Sequence, residues 1–472
     1  MPSTLELTSE AMRALGYLVV DTIVEHFETL RDQPAGRQGS RQALEAALRE
    51  PPPQQGTDAA ALVQFLRQQV FSNMLHVDHP RFFAFVPSPS NFVGVMADAL
   101  ASGFNGFVGT WFSGSGMAQV ELVTIDWLRQ LCGLPDTAGG LFVSGGSMAN
   151  LTALAAARHA RLNDEFQDAM VYFSDQTHSS VERGLRVLGF QAWQLSRLPC
   201  DDSFRLDPAA LREAVAADRA VGRTPFCVVA NAGTTNTGAV DPLPELARFC
   251  RGEGLWLHAD GAYGAAAVLS AKGRARLAGL ELVDSLSLDP HKWLFQPFEI
   301  GCVLVRDRDL LKQTFRILPE YLRDVYRGEE EVNFCDRGIQ LTRNFRALKL
   351  WMSLKVFGLA AFREAVERGI TLAELAERRL RQRACFEIVT PAQLGVVSFR
   401  YAGSGRSAEE VEQINQRLVG AMIADGYAVL TSTVLRGQTV LRLCTINPRT
   451  TEEEIDETIR RIERLGGPDL LH

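Results

Sequence analysis

Lysine is scarce in this chain. Of its 49 cationic side chains only five are lysines, namely Lys272, Lys292, Lys312, Lys349 and Lys355, and the rest are arginines. Other shortages narrow what the protein can do. Positive charge is in deficit, with a formal net charge of −7, so no basic footprint offers itself to nucleic acid or to an anionic membrane. No stretch approaches the roughly 20 apolar residues that span a bilayer. The opening MPSTLELTSEAM lacks the basic start and apolar core of a secretory signal. The eight cysteines are too scattered for a CxxC or any metal-ligand spacing. That pattern predicts reduced thiols, no metal and a cytoplasmic protein. At 472 residues and 46% hydrophobic, the chain has ordinary globular composition and length for two or three domains around a large core. These exclusions leave a small-molecule client.

Hydrophobic patterning divides the chain into three stretches. Residues 1–75 read as helical, with Met12, Leu15, Val19, Ile23 and Phe27 on one face, and AAALVQFLRQQVF following the turn-rich REPPPQQGTD. Two such helices cannot bury their stripes on each other alone, so they must lie on the rest of the chain or on another subunit. Over 76–350, short apolar runs alternate with helical segments: GLFVSGG, AMVYFSD, PFCVVANAG, LWLHAD, DSLSLDP and GCVLVRD. Continuous apolar strands separated by helices predict an α/β domain with a mostly parallel sheet covered on both faces. Ligands of such sheets bind beyond the carboxyl ends of the strands, so the polar residue closing each run is a candidate site residue. Residues 351–472 read as a smaller α+β domain, with VVSFRYAG, GYAVLTST and TVLRLCTI as strands and TEEEIDETIRRIERLG as the last helix.

Lys292 stands apart from the other lysines. It follows the run DSLSLDP and is flanked by Trp293, Leu294 and Phe295, surroundings expected to strip solvent from its amine and favour the nucleophilic form. Thirty-two positions upstream, LWLHAD closes on Asp260, an anion suited to a protonated ring nitrogen, and small Gly261 and Ala262 follow it. In LFVSGGSMANL a strand meets a Gly-Gly-Ser turn and then a helix, so backbone N–H groups at Gly146 and Ser147 make a phosphate cradle. His178 lies just past the strand end of YFSDQTHSS, where an imidazole could stack on a ring or carry protons, and Thr235 in NAGTTNTG could bond a cofactor oxygen. Each feature alone has a plain structural reading as a helix cap, a turn or a core histidine. Together, a lysine, an acid, an anion cradle and a stacking histidine at the strand ends of one sheet describe a pocket for pyridoxal 5′-phosphate.

The segments SGGSMANLTAL, SDQTHSSVERG, NAGTTNTG, WLHADGAYG and SLSLDPHKWL closely resemble the group II pyridoxal-phosphate-dependent amino-acid decarboxylases, which include aromatic-L-amino-acid and tyrosine decarboxylases. The likeness runs from HPRFFAFVPS to INPRTTEEEI. It implies the type I, aspartate-aminotransferase-like fold, with a seven-stranded sheet, an N-terminal helical arm and a homodimer whose active sites lie at the subunit interface. It also implies roles. Lys292 is the Schiff-base lysine, Asp260 the partner of the ring nitrogen, His178 the stacking histidine and Ala262 the small residue on the opposite ring face. Gly146, Ser147 and His291 lie near the phosphate, Thr235 contacts the cofactor, Tyr321 is the mobile-loop residue that returns a proton, and Arg343 is an active-site arginine. Two positions depart from the pattern. Asp289 stands where many animal relatives have Asn; a carboxylate would repel phosphate, so it is expected to cap the turn instead. Met148 replaces an acidic residue, and the sequence explains nothing about that change.

For the substrate, the resemblance puts Phe85, Val86, Pro87 and Phe107 beside the side-chain pocket, an apolar lining that suits tryptophan, phenylalanine, tyrosine or dopa. An acidic substrate would need an extra cation in that wall, and only Arg81 is near. Two other readings remain. An aldehyde synthase of the same family often carries Phe where Tyr321 stands here, and a binding protein could have kept the fold without the chemistry.

Overall fold

The computed structural model describes residues 5–317, 328, 330–403 and 405–467. The large sheet holds β1 (Gly139–Val143), β2 (Ala169–Ser174), β3 (Leu195–Leu198), β4 (Thr224–Asn231), β5 (Trp256–Asp260), β6 (Ser285–Leu288) and β7 (Gly301–Val305), in the order β1-β7-β6-β5-β4-β2-β3, and all but β3 come from the apolar runs. Neighbours from β6 through β5, β4 and β2 to β3 run parallel, and β7 alone is antiparallel to both β6 and β1. Every residue of β1, β2, β5, β6 and β7 is buried. That is why these strands read as unbroken apolar runs rather than as an alternation. The carboxyl ends of the parallel strands, with that of β1, open on one edge of the sheet, where Ser174, Asn231 and Asp260 end their strands.

Two edge strands escape the sequence reading. LSRL of β3 is only half-buried at one end of the large sheet, so it shows no apolar run. The second sheet has the order β10-β11-β9-β8, with β8 (Phe386–Gln393), β9 (Val396–Tyr401), β10 (Thr431–Leu435) and β11 (Gln438–Cys444), all antiparallel. Its edge strand β8 carries Pro391 and mixed burial, a composition tolerated at an edge where a missing N–H faces no partner.

Residues Ala347–Arg381 form one long helix, interrupted where Gly358 takes φ 74° and ψ 155°, a backbone state that only glycine adopts readily. This helix runs straight through position 350. Its first part, with Leu350, Phe362 and Ile370, packs into the core around the large sheet, and Leu372, Leu375 and Leu380 pack into the core of the small one. Helices Ala408–Asp425 and Glu452–Leu465 cover the small sheet, each started by a capping box, Ser407 with Glu410 and Thr451 with Glu454. The three N-terminal helices, Ser9–Thr29, Arg41–Leu48 and Ala59–Gln69, bury no residue at all. Among the described residues, no helix is long and apolar enough to cross a membrane.

Candidate active site

At the carboxyl ends of the strands lies a cavity of about 340 Å³. It brings together Gly146, Ser147, His178, Thr235, Asp260, Ala262, His291 and Lys292, residues scattered over nearly 150 positions of sequence. A larger cavity of about 890 Å³ lies between helices Trp111–Leu131 and Ala347–Arg381, and none of these strand-end groups reaches it.

Asp260 is held by three hydrogen bonds. Oδ2 accepts from Asn150 Nδ2 at 3.0 Å, and Oδ1 accepts from Ser287 Oγ at 3.1 Å and from the Ala262 N–H at 3.2 Å. Burial pushes its pKa up, but the charges of Lys292, His258 and His178 more than offset that, and the net shift is down. Asp260 is therefore a buried carboxylate whose charged form is favoured. His178 caps helix Ser179–Val187, its Nδ1 lying 3.2 Å from the Ser180 N–H and 2.8 Å from Ser180 Oγ. Burial lowers its pKa, so the imidazole is neutral near pH 7.

The cradle forms where β1 turns into helix Gly146–Leu162. Its N-cap, Gly145, offers no side-chain hydrogen bond, which leaves the first N–H groups open to an anion. Space is tight there. A Cβ on Gly146 would come within 2.9 Å of Asp289 Oδ2 and 3.0 Å of Ala262 Cβ, and one on Gly145 within 3.1 Å of His291 Cε1. Met148 lines the same cavity.

The surroundings of Lys292 differ from the expectation. Trp293, Leu294 and Phe295 are buried in the core, with Trp293 stacked on Tyr263 at 5.2 Å, so they do not wall off the amine. Lys292 Nζ instead meets Asp289 Oδ2 at 3.0 Å. This also corrects the role of Asp289, whose carboxylate pairs with the lysine rather than capping the turn. Its Oδ1 is buried with no hydrogen-bond partner.

Arg343 does not reach the cavity. It is buried with Glu121, Nη2 to Oε1 at 2.6 Å, and donates to the Phe142 carbonyl at 2.7 Å, so it braces β1 from behind. Phe85, Pro87 and Phe107 lie outside the cavity lining as well; Phe85 is 59% exposed. Arg442, which sequence reasoning missed, spans the two regions by donating to the Thr235 carbonyl at 2.6 Å and to the Phe85 carbonyl at 2.5 Å. Tyr321 lies outside the described residues. Among those residues, His26, His76 and Asp78 are the group whose donor atoms come together as metal ligands would, and His26 Nε2 is already hydrogen-bonded to Asp78 Oδ2 at 3.0 Å.

The sequence model of the pyridoxal-dependent decarboxylase conserved domain matches residues 42–402. The chain belongs to the pyridoxal-dependent decarboxylase family. This decarboxylase is 52% identical over 99% of its length to the aromatic-L-amino-acid decarboxylase of Bacillus atrophaeus, 98% of which is covered. It is 31% identical to a phenylacetaldehyde synthase of Arabidopsis thaliana, with 97% of this chain and 96% of that one aligned. The crystal structure of Oryza sativa TDC with PLP and tryptamine superposes with a TM-score of 0.93 at 30% identity, covering 98% of this chain and 99% of that one. The fold is thus type I, and the protein is a carboxy-lyase whose cofactor is pyridoxal 5′-phosphate.

The residues present fit that cofactor. An uncapped helix start matches the phosphate, a buried anion matches a protonated ring nitrogen, and a partly exposed amine lines the same cavity. The decarboxylase also uses residues that the motifs did not flag. Asn150, Ser180, Ser287 and His258 hold Asp260 and His178 in place. One signal was available, because His258 and Asp260 are two apart on one strand and so share a face.

Proposed function

We propose that this decarboxylase converts an aromatic L-amino acid to its amine and CO₂, as a homodimer. The observation that carries the reading is the make-up of the cavity, where Lys292 is the one lysine or arginine among the lining residues, and the other basic groups are the burial-neutralised His178 and His291. Among the described residues that line the cavity, no cation is left over for an acidic side chain. Arg81 is consumed by the carbonyls of Tyr427 and Gln33. The 52% identity to an aromatic-L-amino-acid decarboxylase supports the same choice.

Pyridoxal phosphate supplies the electron sink for the bond that breaks. Lys292 would hold it covalently, Asp260 would face its ring nitrogen, His178 and Ala262 would bracket its ring, and Gly146, Ser147 and His291 would surround its phosphate. The buried Asp260 carboxylate keeps a positive charge beside it favourable throughout turnover. Asp289, 3.0 Å from Lys292 Nζ, would keep that nitrogen positioned in the site. His178, neutral and anchored through Nδ1, presents Nε2 to the substrate carboxylate. Tyr321 would return the proton to Cα.

Support for the dimer comes from the N-terminal arm. Its helices bury nothing, yet Met12, Tyr17, Leu62 and Phe65 are exposed along them, apolar surface that a second copy would cover.

The test is CO₂ and amine release across a panel of L-amino acids with added pyridoxal phosphate, alongside sedimentation of the purified protein. Tryptophan, phenylalanine, tyrosine or dopa should turn over best, from a particle of twice the chain mass. A preference for glutamate or aspartate would sink the substrate reading, a monomer would sink the dimer, and stoichiometric peroxide and ammonia would replace simple decarboxylation by aldehyde synthesis.

A further inference from the structure

Behind the cavity, between the sheet and helix Gly146–Leu162, runs a chain of buried hydrogen bonds that the mechanism does not yet use. Trp256, His258 and Asp260 point to one face of β5, as residues two apart do, and Ser285 and Ser287 lie beside them on β6, with His258 paired in register to Ser285. Trp256 Nε1 bonds Ser285 Oγ at 2.8 Å, and Ser285 Oγ bonds His258 Nδ1 at 2.8 Å. His258 Nε2 bonds Asn150 Oδ1 at 3.0 Å. Asn150 Nδ2 bonds both Asp260 Oδ2 at 3.0 Å and Ser180 Oγ at 2.9 Å, and Ser180 Oγ meets His178 Nδ1 at 2.8 Å.

The direction of the protons in this chain is set by the groups that can act in only one way, above all the Asp260 carboxylate and the Ser180 N–H. An indole N–H can only donate, so Ser285 Oγ accepts from Trp256 and keeps its own proton free for His258 Nδ1. The Asp260 carboxylate can only accept, so Asn150 must turn its amide nitrogen toward Asp260 and its Oδ1 toward His258. With Asn150 Oδ1 facing it, His258 Nε2 must carry the ring proton, and Nδ1 then accepts from Ser285 Oγ. His258 is wholly buried, and burial lowers its pKa to about 4, so at neutral pH it carries one ring proton and the direction stays fixed. Past Asn150 the same logic continues. The Ser180 N–H donates to His178 Nδ1, so that nitrogen is an acceptor, and Ser180 Oγ, which accepts from Asn150, gives its own proton to it.

We propose that the chain Trp256–Ser285–His258–Asn150–Ser180 is a one-way hydrogen-bond wire that locks His178 as the neutral tautomer protonated on Nε2 and fixes the Asp260 carboxylate, with His258 as its positioning residue. The wire rests on the pyridoxal reading only for its purpose; its geometry belongs to the protein without cofactor. Its consequence for the reaction is that the nitrogen facing the cavity is a hydrogen-bond donor before substrate arrives. A donor suits an anionic carboxylate, whereas the opposite tautomer would turn a lone pair toward it.

The test uses the full-length protein, first stripped of cofactor and then loaded. Two-bond ¹H–¹⁵N spectra of ¹⁵N-histidine-labelled protein distinguish the tautomers of its eight histidines. At neutral pH, His178 and His258 should both show the Nε2–H form. His258→Gln keeps a donor for Asn150 and an acceptor for Ser285, so it should preserve the His178 tautomer and most activity. His258→Leu should leave a mixture of tautomers at His178. By analogy with the outer partners of metal-bound histidines, kcat should fall about 10- to 100-fold with KM little changed. A role confined to packing would move the melting temperature of both variants and leave the tautomer alone. The inference is overturned if His178 in the parent protein shows the Nδ1–H form, or if His258→Leu keeps both the Nε2–H form and full kcat. Failure of the parent protein to develop an absorbance band with pyridoxal phosphate would instead refute the cofactor reading, whatever the tautomers show.

Discussion

Replacing Asp260 by Asn leaves the shape of the site almost intact and removes one charge. The retained oxygen still accepts from Ser287 Oγ and from the Ala262 N–H, while the new amide nitrogen faces the amide nitrogen of Asn150, donor against donor. One buried hydrogen bond is lost, a cost of about 1–3 kcal/mol in stability, which lowers the melting temperature by several degrees and leaves the protein folded at 25 °C. The cost to catalysis is larger. Asp260 is 7% exposed, so water does little to screen its carboxylate from a cation bound against it. Breaking a buried pair on one side costs about 3–5 kcal/mol, and at about 1.36 kcal/mol per decade that is roughly a 10²- to 10⁴-fold fall in kcat. The assay is CO₂ release at saturating substrate and pyridoxal phosphate, with circular dichroism and thermal melting on the same preparation. A variant that folds and retains kcat within about threefold of the parent would refute the claim that Asp260 supplies the decisive charge.

Two further outcomes follow from packing and burial. Gly146→Ala would push a methyl group against Asp289 Oδ2 and Ala262 Cβ at about 3 Å, so affinity for pyridoxal phosphate, titrated by absorbance, should fall about tenfold, or about 1.4 kcal/mol; unchanged affinity would remove Gly146 from the cradle. His258 and His79 are fully buried and each is lowered from 6.5 to about 4, so the unfolded chain binds protons that the folded one refuses. Their stability is whole above pH 6.5 and is lost as pH falls toward 4, about 3 kcal/mol each. The urea midpoint should fall steeply across that window, and less steeply in His258→Gln.

Much of this was legible in the sequence because burial and chemistry coincide there. Strands buried on both faces declared themselves as apolar runs, and the residues closing them, Asp260 and the turn before Lys292, line one cavity at their ends. What escaped was whatever depends on contact across the fold. The edge strands β3 and β8 are half-solvated and show no run. Arg343 sits in a motif-like segment, yet only the structure reveals Glu121 beside it. The Asp289–Lys292 pair is three residues apart, but a turn could have aimed either side chain outward, and flanking aromatic residues suggested an apolar nest for the amine where the fold supplies an anion.

The one antiparallel strand of the large sheet has a mechanical effect. Because β7 returns beside β6, residues 289–300 leave the sheet and re-enter it at the same edge, and they are pinned to their neighbours through Asp289 N–H to the Ala262 carbonyl and His291 N–H to the Ile300 carbonyl. The backbone under Lys292 is clamped at both feet. Whatever travels during a catalytic cycle is then the lysine's own tether of four methylenes, pivoting from an immobile base.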